Sequence, residues 1–142
     1  MLLAGLPGSG KTIYLCEKLH EGWLVFDDFK ANAFDDDSYF SKSRKFPSLT
    51  SALAHDLKCV VADIDFCDPA SRNQAENVLR AVFPQLQLVW HFFENNPAAC
   101  KANVRRRNNR GVNEELEKLR KYAGVYEIPQ GAVILPVFQN PS

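Results

Sequence analysis

The chain has 142 residues, of which 46% are hydrophobic, so it can build one hydrophobic core and is too short for two. No run approaches 18 apolar residues and the amino terminus has no basic start, so we expect neither a membrane span nor a signal peptide. The formal net charge is zero, which argues against a protein that binds nucleic acid over its whole surface.

The first predicted elements are a short buried strand, a loop and a helix. The apolar run Met1–Ala4 predicts the strand, and the spacing of apolar residues from Ile13 to about His20 predicts the helix. Between them, the segment Gly5–Thr12 has the sequence GLPGSGKT, which matches the phosphate-loop pattern G-x-x-x-x-G-K-[ST] at every fixed position. This motif requires a strand before it and a helix after it, so we predict a nucleoside triphosphate site.

Each residue type in this loop has a physical role in binding phosphate. Gly8 and Gly10 allow backbone turns that direct successive N–H groups at phosphate oxygens. Lys11 supplies a positive charge to the β- and γ-phosphates, and the Thr12 hydroxyl is a ligand for Mg²⁺. The helix that follows presents its positive end to the same anion. The predicted ATP-binding residues of the loop are Pro7, Gly8, Ser9, Gly10, Lys11 and Thr12.

The second predicted strand, Trp23–Phe26, is followed by the acidic pair Asp27 and Asp28. A carboxylate at this position, beside a phosphate loop, can accept the proton of an attacking hydroxyl during phosphoryl transfer. We therefore predict that Asp27 is a general base. The alternative is an acidic turn that Asp28 caps, and the triplet Asp35–Asp37 is interpreted as a solvated helix start.

The third predicted strand, Cys59–Ile64, carries Asp63 near its end. Apolar residues that end in aspartate are typical of a Walker B carboxylate, which holds Mg²⁺ directly or through water. Many strands end in aspartate, so this pattern alone is weak evidence. Because a phosphate loop lies upstream, we predict that Asp63 binds the metal. Asp65 is the competing candidate. After it, Asp68 and Pro69 predict the start of a helix.

A basic segment precedes the last predicted helix. Residues 101–110 contain five positive charges, among which Arg106 and Arg110 are four residues apart and share a helix face. Arginines on a closing flap can neutralise the charge of a transferring phosphoryl group. We predict a lid around residues 97–112. The alternatives are a solvated basic helix and a docking patch for RNA or DNA.

The whole pattern predicts an α/β protein with the three-layer P-loop NTPase fold. The runs Leu86–Phe93 and Ala132–Phe138 add a fourth and a fifth strand, and alternation with helices favours a five-stranded parallel sheet with helices on both faces. Residues 1–142 are expected to form a single kinase-like domain, with ligands at the carboxyl ends of the strands. The four cysteines form no C-x-x-C pair, so we expect reduced core thiols in a cytoplasmic protein.

The chain resembles small P-loop kinases, in particular the polynucleotide 5′-hydroxyl kinase type and its broader AAA-33-like relatives. The matching stretches are Gly5–Thr12, Asp27-Asp28-Phe29, Asp63 and Asp65 leading to Pro69 and Arg72, and Arg106 to Arg110-Gly111 with the helix that ends at Tyr122. The resemblance implies that Asp27 is the general base and that Arg110 contacts the phosphates. The chain departs from the family at Phe26, where arginine or serine is frequent, at Lys30, where arginine is frequent, and at Asp65, where asparagine is common.

These features predict a kinase that moves the γ-phosphoryl group of ATP to a hydroxyl with Mg²⁺. Asp27 would be the base, and Lys11, Arg106 and Arg110 would be the charge clamp. The acceptor would be a nucleic-acid 5′-end, a nucleoside or a small metabolite. One alternative is a non-kinase ATPase module that regulates a protein or nucleic-acid partner, and another is a nucleic-acid binding module that uses the arginine cluster. GTPases and ABC ATPases are disfavoured because the Asn-Lys-x-Asp and Ser-Gly-Gly motifs are absent.

Overall fold

The computed structural model describes residues 1–29, 48–107 and 111–139. The strands within them are β1 (Leu2–Ala4), β2 (Leu24–Asp27), β3 (Cys59–Ala62), β4 (Trp90–Phe93) and β5 (Val133–Leu135). The helices are α1 (Lys11–His20), α2 (Leu49–Ala54), α3 (Pro69–Val82), α4 (Pro97–Arg107) and α5 (Val112–Ala123), with a 3₁₀ helix at Ile64–Cys67.

The described strands form one parallel sheet in the order β2-β3-β1-β4-β5. Every residue of the central strands β1 and β3 is buried, as expected when helices cover both faces of a parallel sheet. The predicted five-stranded parallel sheet is therefore confirmed. Because β1 lies at the centre, the phosphate loop that follows it is placed in the middle of the carboxyl edge.

Alternate side chains of β1 to β4 build two hydrophobic cores. Leu3 of β1 packs with Leu15 of α1 on one face of the sheet. Leu2 lies in the larger core on the other face, to which α2, α3 and α5 contribute buried residues such as Leu49 and Leu79. The prediction of helices on both faces is confirmed, since a period of two in the strands matches this division.

Four strands are shorter than their apolar runs, β1 by one residue and β3, which ends at Ala62, by two. The run Leu86–Phe93 forms strand only from Trp90 onward, and Leu86 packs against the core from a turn instead. β5 ends at Leu135 because Pro136 has no N–H for the ladder. The apolar pattern identified the right segments and overestimated their length.

Helix starts follow local capping chemistry. The Ser48 hydroxyl accepts a hydrogen bond from the Ser51 amide at the start of α2, and the Asp68 carboxylate caps α3. The N-cap of α5 is Gly111, whose φ of 88° lies in the left-handed region that favours glycine. The helix begins at Val112, so Asn113, a residue type that often caps helices, lies inside the first turn instead.

Two further sequence expectations concern the cysteine thiols and membrane-spanning helices. All four cysteines are free, and Cys59, Cys67 and Cys100 are buried as expected for core thiols. Cys16 is exposed on α1, which corrects the expectation for that residue. In the described part of the chain, no helix combines the length and apolar character that a membrane crossing requires.

Candidate functional site

The phosphate loop places two glycines where a side chain has no room. Gly8 has φ 82° and Gly10 has φ 109°, a region that L-residues rarely adopt. A Cβ on Gly8 would lie 2.4 Å from the Cys100 carbonyl oxygen, and a Cβ on Gly10 would lie 2.7 Å from the Phe138 Cβ. The loop is therefore closely covered by α4 on one side and by the segment after β5 on the other.

The backbone of this loop leaves amides open for an anion. The Ser9 amide donates to the Leu6 carbonyl at 3.1 Å, which closes a turn, and the Ser9 side chain is buried. Within the described residues, the amides of Gly10, Lys11 and Thr12 donate to no protein acceptor. Because they begin α1, they carry the positive end of its dipole. These amides fit a phosphate group.

Lys11 lies at the centre of the site with its ammonium group folded onto the loop. Its Nζ donates to the carbonyl oxygens of Gly5 and of Leu6, the latter at 3.0 Å. Burial lowers the pKa of Lys11 from its ordinary value, while nearby groups, including the carboxylates of Asp27 and Glu115, oppose that effect. A cation held by two neutral carbonyls can exchange them for the stronger contact with a phosphate.

Asp27 is the last residue of β2 and is exposed at the carboxyl edge of the sheet. Its backbone pairs with Ala62 of β3. The next residue, Asp28, has φ 81° and its amide donates to the Ala62 carbonyl at 2.8 Å. This turn ends the strand and directs the chain away from the sheet, so the Asp27 side chain stays accessible.

Asp63 follows β3 and is 6% exposed. Its Oδ2 accepts the Phe29 amide and its Oδ1 accepts the Asp65 amide, both at 2.8 Å. Burial raises the pKa of Asp63, and the two amides oppose that shift. The carboxylate therefore joins the turn after β2 to the 3₁₀ helix after β3, a role that sequence analysis did not find.

The predicted metal ligands Thr12 and Asp63 fit a site that phosphates would complete. No group of three or more His, Cys, Asp or Glu side chains in residues 1–29, 48–107 and 111–139 could hold a metal ion. Mg²⁺ at nucleotide sites takes few protein ligands and fills its octahedron with water and phosphate oxygens. Asp63 has lone pairs beyond the two that its amides occupy, so its donor chemistry fits such an ion.

Asp65, the competing metal candidate, is held by the helix that follows the arginine segment. The Tyr122 hydroxyl of α5 donates to Asp65 Oδ1 at 2.7 Å. This bond to a carboxylate, aided by burial, raises the pKa of Tyr122 to about 12. Asp65 therefore anchors α5 to the end of β3. The bond joins residues 57 positions apart, and no local pattern predicts it.

Arg72, which belongs to the family resemblance, is buried and bonded to the backbone. Its guanidinium donates to the carbonyls of Phe66 at 2.8 Å and Glu127 at 2.7 Å. It also lies over the Phe92 ring, 5.1 Å from its centroid. The structure places Arg72 as a link between α3 and the segment before β5, since both Nη1 and Nη2 donate to backbone carbonyls.

α4 presents its basic end beside the phosphate loop. Arg106 is exposed and lines a cleft of about 290 Å³. The other residues that line this cleft are Gly8, Gly10, Thr12, Ile13, Asn103, Arg107 and Phe138. Arg110 and the triplet Asp35–Asp37 lie outside the described residues, so the predicted partnership of Arg106 with Arg110 stays a prediction.

Comparison with known proteins identifies the fold. The structure resembles a gluconokinase from Sinorhizobium meliloti 1021 with a TM-score of 0.54 at 17% identity, covering 98% of this chain and 82% of that one. A protein designated APE1195 gives a TM-score of 0.48 at 20% identity, covering 96% of this chain and 83% of that one.

Sequence relatives are few and distant. The uncharacterised protein R277 of Acanthamoeba polyphaga mimivirus is 27% identical over 133 residues, which are 90% of this chain and 86% of that protein. No protein-family model matches this chain. The chain thus has a P-loop kinase-like fold, and the finer resemblance to the polynucleotide kinase type rests on the sequence motifs alone.

Proposed function

We propose that this protein is a P-loop kinase that transfers the γ-phosphoryl group of ATP to a hydroxyl acceptor. The proposal rests on two features that lie at the same edge of a kinase-like sheet. One is a phosphate loop with open amides, and the other is the exposed strand-end carboxylate of Asp27. The first feature suits the donor, and the second suits a proton acceptor for the incoming hydroxyl.

The chemistry assigns a role to each group. Asp27 accepts the proton of the acceptor hydroxyl as its oxygen forms a bond to the γ-phosphorus. The bond from the γ-phosphorus to the β–γ bridging oxygen breaks, and ADP leaves with the electron pair. Lys11, Arg106 and, outside the described residues, Arg110 stabilise the charge on the transferring group. Mg²⁺, held by Thr12 and Asp63, would neutralise charge on the phosphates when bound.

The acceptor is proposed at the level of its chemical class. Phosphoryl transfer needs a hydroxyl close to Asp27, and a nucleic-acid 5′-end, a nucleoside and a small metabolite each supply one. The gluconokinase neighbour is named for a small hydroxyl-bearing substrate. This supports a hydroxyl compound as the class of acceptor and does not identify the compound. The amino-acid motifs favour a 5′-hydroxyl, so both classes belong in the first screen. The protein is proposed to act in the cytoplasm.

A second candidate function is an ATP-binding module that regulates a partner. The last turn of α4 carries Arg105, Arg106 and Arg107, all exposed, which favours contact with an anionic surface. Such a module hydrolyses ATP at a rate that responds to its partner and not to hydroxyl compounds. Strong salt dependence of nucleic-acid binding without ATP would identify a third class, the nucleic-acid binding module.

The test is ADP production with and without acceptors. Purified protein with Mg²⁺ and ATP is given a 5′-hydroxyl oligonucleotide, nucleosides and polyols in separate reactions. A kinase produces ADP at a rate that rises with one acceptor, and Lys11→Ala abolishes that rise. A rate that is the same in every reaction would contradict the kinase and favour the regulatory module.

A further inference from the structure

The segment after β5, residues 136–139, crosses the phosphate loop, and we name it the strap. The Phe138 amide donates to the Ser9 carbonyl at 2.9 Å. The neighbouring Val137 is 3% exposed, and its amide donates to Glu94 Oε1 at 3.1 Å. The strap is thus fixed at two successive residues, one bonded to the loop and one to the end of β4.

One side chain of α4 joins the strap to the loop. Asn103 Nδ2 donates to the Gly8 carbonyl at 2.8 Å and to the Phe138 carbonyl at 2.5 Å. An amide NH₂ has two donors, so both are used in these contacts. The side chain connects segments that lie 95 and 35 positions away in the sequence. We name this arrangement the Asn103 clamp.

The strap, which Asn103 holds through the Phe138 carbonyl, fixes the direction of one loop amide. In a planar trans peptide, the carbonyl and the N–H of the next residue point in opposite directions. Holding the Ser9 carbonyl toward the strap therefore directs the Gly10 amide to the opposite side. That amide donates to no acceptor in the described part of the chain, and it is one of the groups that suit a phosphate. A donor fixed before binding costs no ordering entropy when the anion arrives.

The same side chain sets the position of the arginines relative to the loop. Arg106 and Arg107 lie three and four residues after Asn103, so all three share a face of α4. All three line the cleft of about 290 Å³ beside Gly10 and Phe138. Bonds from Asn103 to the loop therefore hold the basic end of the helix at a fixed distance from the phosphate site.

We propose that Asn103 is a positioning residue for ATP, which orients the phosphate-loop amides and the arginine end of α4 through its bonds to Gly8 and Phe138. Asn103 itself touches no reacting atom in this role. The inference rests on the proposed ATP site and assigns a function to a side chain that no motif singles out. It does not depend on which acceptor the protein phosphorylates.

The test compares two matched substitutions. Asn103→Leu is neutral and similar in shape but has no donor, and Asn73→Leu makes the same change at an exposed position of α3. Binding of ATP with Mg²⁺ is measured by calorimetry, below the unfolding temperature of each variant. Loss of two hydrogen bonds predicts about tenfold weaker binding for Asn103→Leu, and no change for Asn73→Leu.

A second readout separates positioning from general damage. Hydrogen exchange of the free protein should speed up at the amides of residues 137–139 of Asn103→Leu, while the central strands β1 and β3 keep their protection. If Asn103→Leu does not fold, Asn103→Ser is measured in the same way, since its hydroxyl is too short to reach both carbonyls. Unchanged ATP affinity of the variant would overturn the inference, whether or not exchange in the strap changes.

These experiments distinguish failure of the Asn103 clamp from failure of the proposed kinase function. If the wild type binds ATP but phosphorylates no acceptor, the kinase proposal fails, while weaker binding by Asn103→Leu still supports the clamp. If the wild type transfers phosphate and Asn103→Leu binds ATP as tightly as the wild type, the clamp is wrong and the kinase stands. If the wild type does not bind ATP, both fail.

Discussion

Asp27 and its neighbour Asp28 are exposed, unlike Asp63 and Asp65 at the same edge of the sheet. Asp63 is buried and bonded to two backbone amides, and Asp65 is bonded to the Tyr122 hydroxyl. Asp27 ends a strand that faces solvent at that point. A base must reach the acceptor hydroxyl, so exposure favours Asp27 and Asp28 over Asp63 and Asp65. The family resemblance assigns the role to the first residue of the pair, Asp27.

The proposal predicts that Asp27→Asn lowers turnover by roughly 10²- to 10⁴-fold, because the amide cannot accept the proton. ATP affinity should stay the same, since the open loop amides are untouched. Steady-state transfer rates and calorimetry measure the two quantities. Asp28→Asn is the matched control, because it makes the same change one residue later and asparagine tolerates a positive φ. Equal losses in the two variants would contradict the assignment.

Glycine substitutions separate the cost of backbone strain from the cost of a steric clash. Gly10 and Gly22 both have positive φ, 109° and 93°, but a Cβ would collide with Phe138 only at Gly10, since nothing lies within 4 Å of Gly22. Gly22→Ala should cost about 1–2 kcal/mol of unfolding free energy, from strain alone. Gly10→Ala should cost more and also weaken ATP binding. Urea unfolding checks the first statement, and calorimetry the second. A smaller loss for Gly10→Ala would be inconsistent with the close contact of strap and loop.

At the scale of elements, α4 carries Arg106, one of the three residues of the predicted charge clamp. Arg106 lines the cleft beside the loop and Arg105 does not. Removing one donor aimed at developing charge costs on the order of 10²-fold in turnover. Arg106→Ala should show a loss of that order, whereas Arg105→Ala on the same helix should keep near wild-type rates. Rates that fall equally would indicate a general effect of positive charge and not a directed contact.

α5 is tied to the sheet by the bond from Tyr122 to Asp65, and this bond predicts a pH dependence of stability. The pKa of Tyr122 is raised to about 12 in the folded protein, against about 10 in an unfolded chain. The contribution of the bond is therefore fully present below about pH 10, and it is lost as pH rises toward 12.

Tyr122→Phe tests this link by comparison with the wild type. The difference in unfolding free energy should be roughly 1.5–3 kcal/mol at pH 8, the range for a hydrogen bond to a charged group. It should shrink steadily from about pH 10 to pH 12. Urea titrations of both proteins across this range give the difference at each pH. A difference that stays constant to pH 12 would show that the Tyr122 hydroxyl is not bonded to a carboxylate.

Sequence reasoning succeeded for elements whose signal is local. The phosphate loop and its flanking strand and helix lie within 20 residues of each other, and the apolar runs marked all the described strands. It overestimated β5 because the effect of Pro136 on the ladder was not weighed. It missed the Asn103 clamp and the bond from the Phe29 amide to Asp63 because those partners are distant in the chain, 34 residues in the case of Phe29. Such contacts depend on topology, and residue type alone carries no signal for them.

At the scale of the whole molecule, the strand order brings the separate parts of the site to one edge. β1 lies between β3 and β4, so the loop after β1 has Asp63 on one side and Glu94, with the strap, on the other. The parallel sheet aligns the carboxyl ends of all its strands at one edge. α4 and α5 lie beside that edge. In the proposed function, this one sheet edge therefore supplies the anion site, the base and the basic flank.

The most direct measurement of the central claim is transfer of labelled γ-phosphate from ATP. Wild type, Lys11→Ala and Asp27→Asn are incubated with Mg²⁺ and either a 5′-hydroxyl oligonucleotide or a panel of nucleosides and sugars. The proposal predicts label on one acceptor with the wild type, none with Lys11→Ala, and a strongly reduced rate with Asp27→Asn that still binds ATP. ATP binding by the wild type without label on any acceptor, or transfer that Asp27→Asn leaves unchanged, would contradict it.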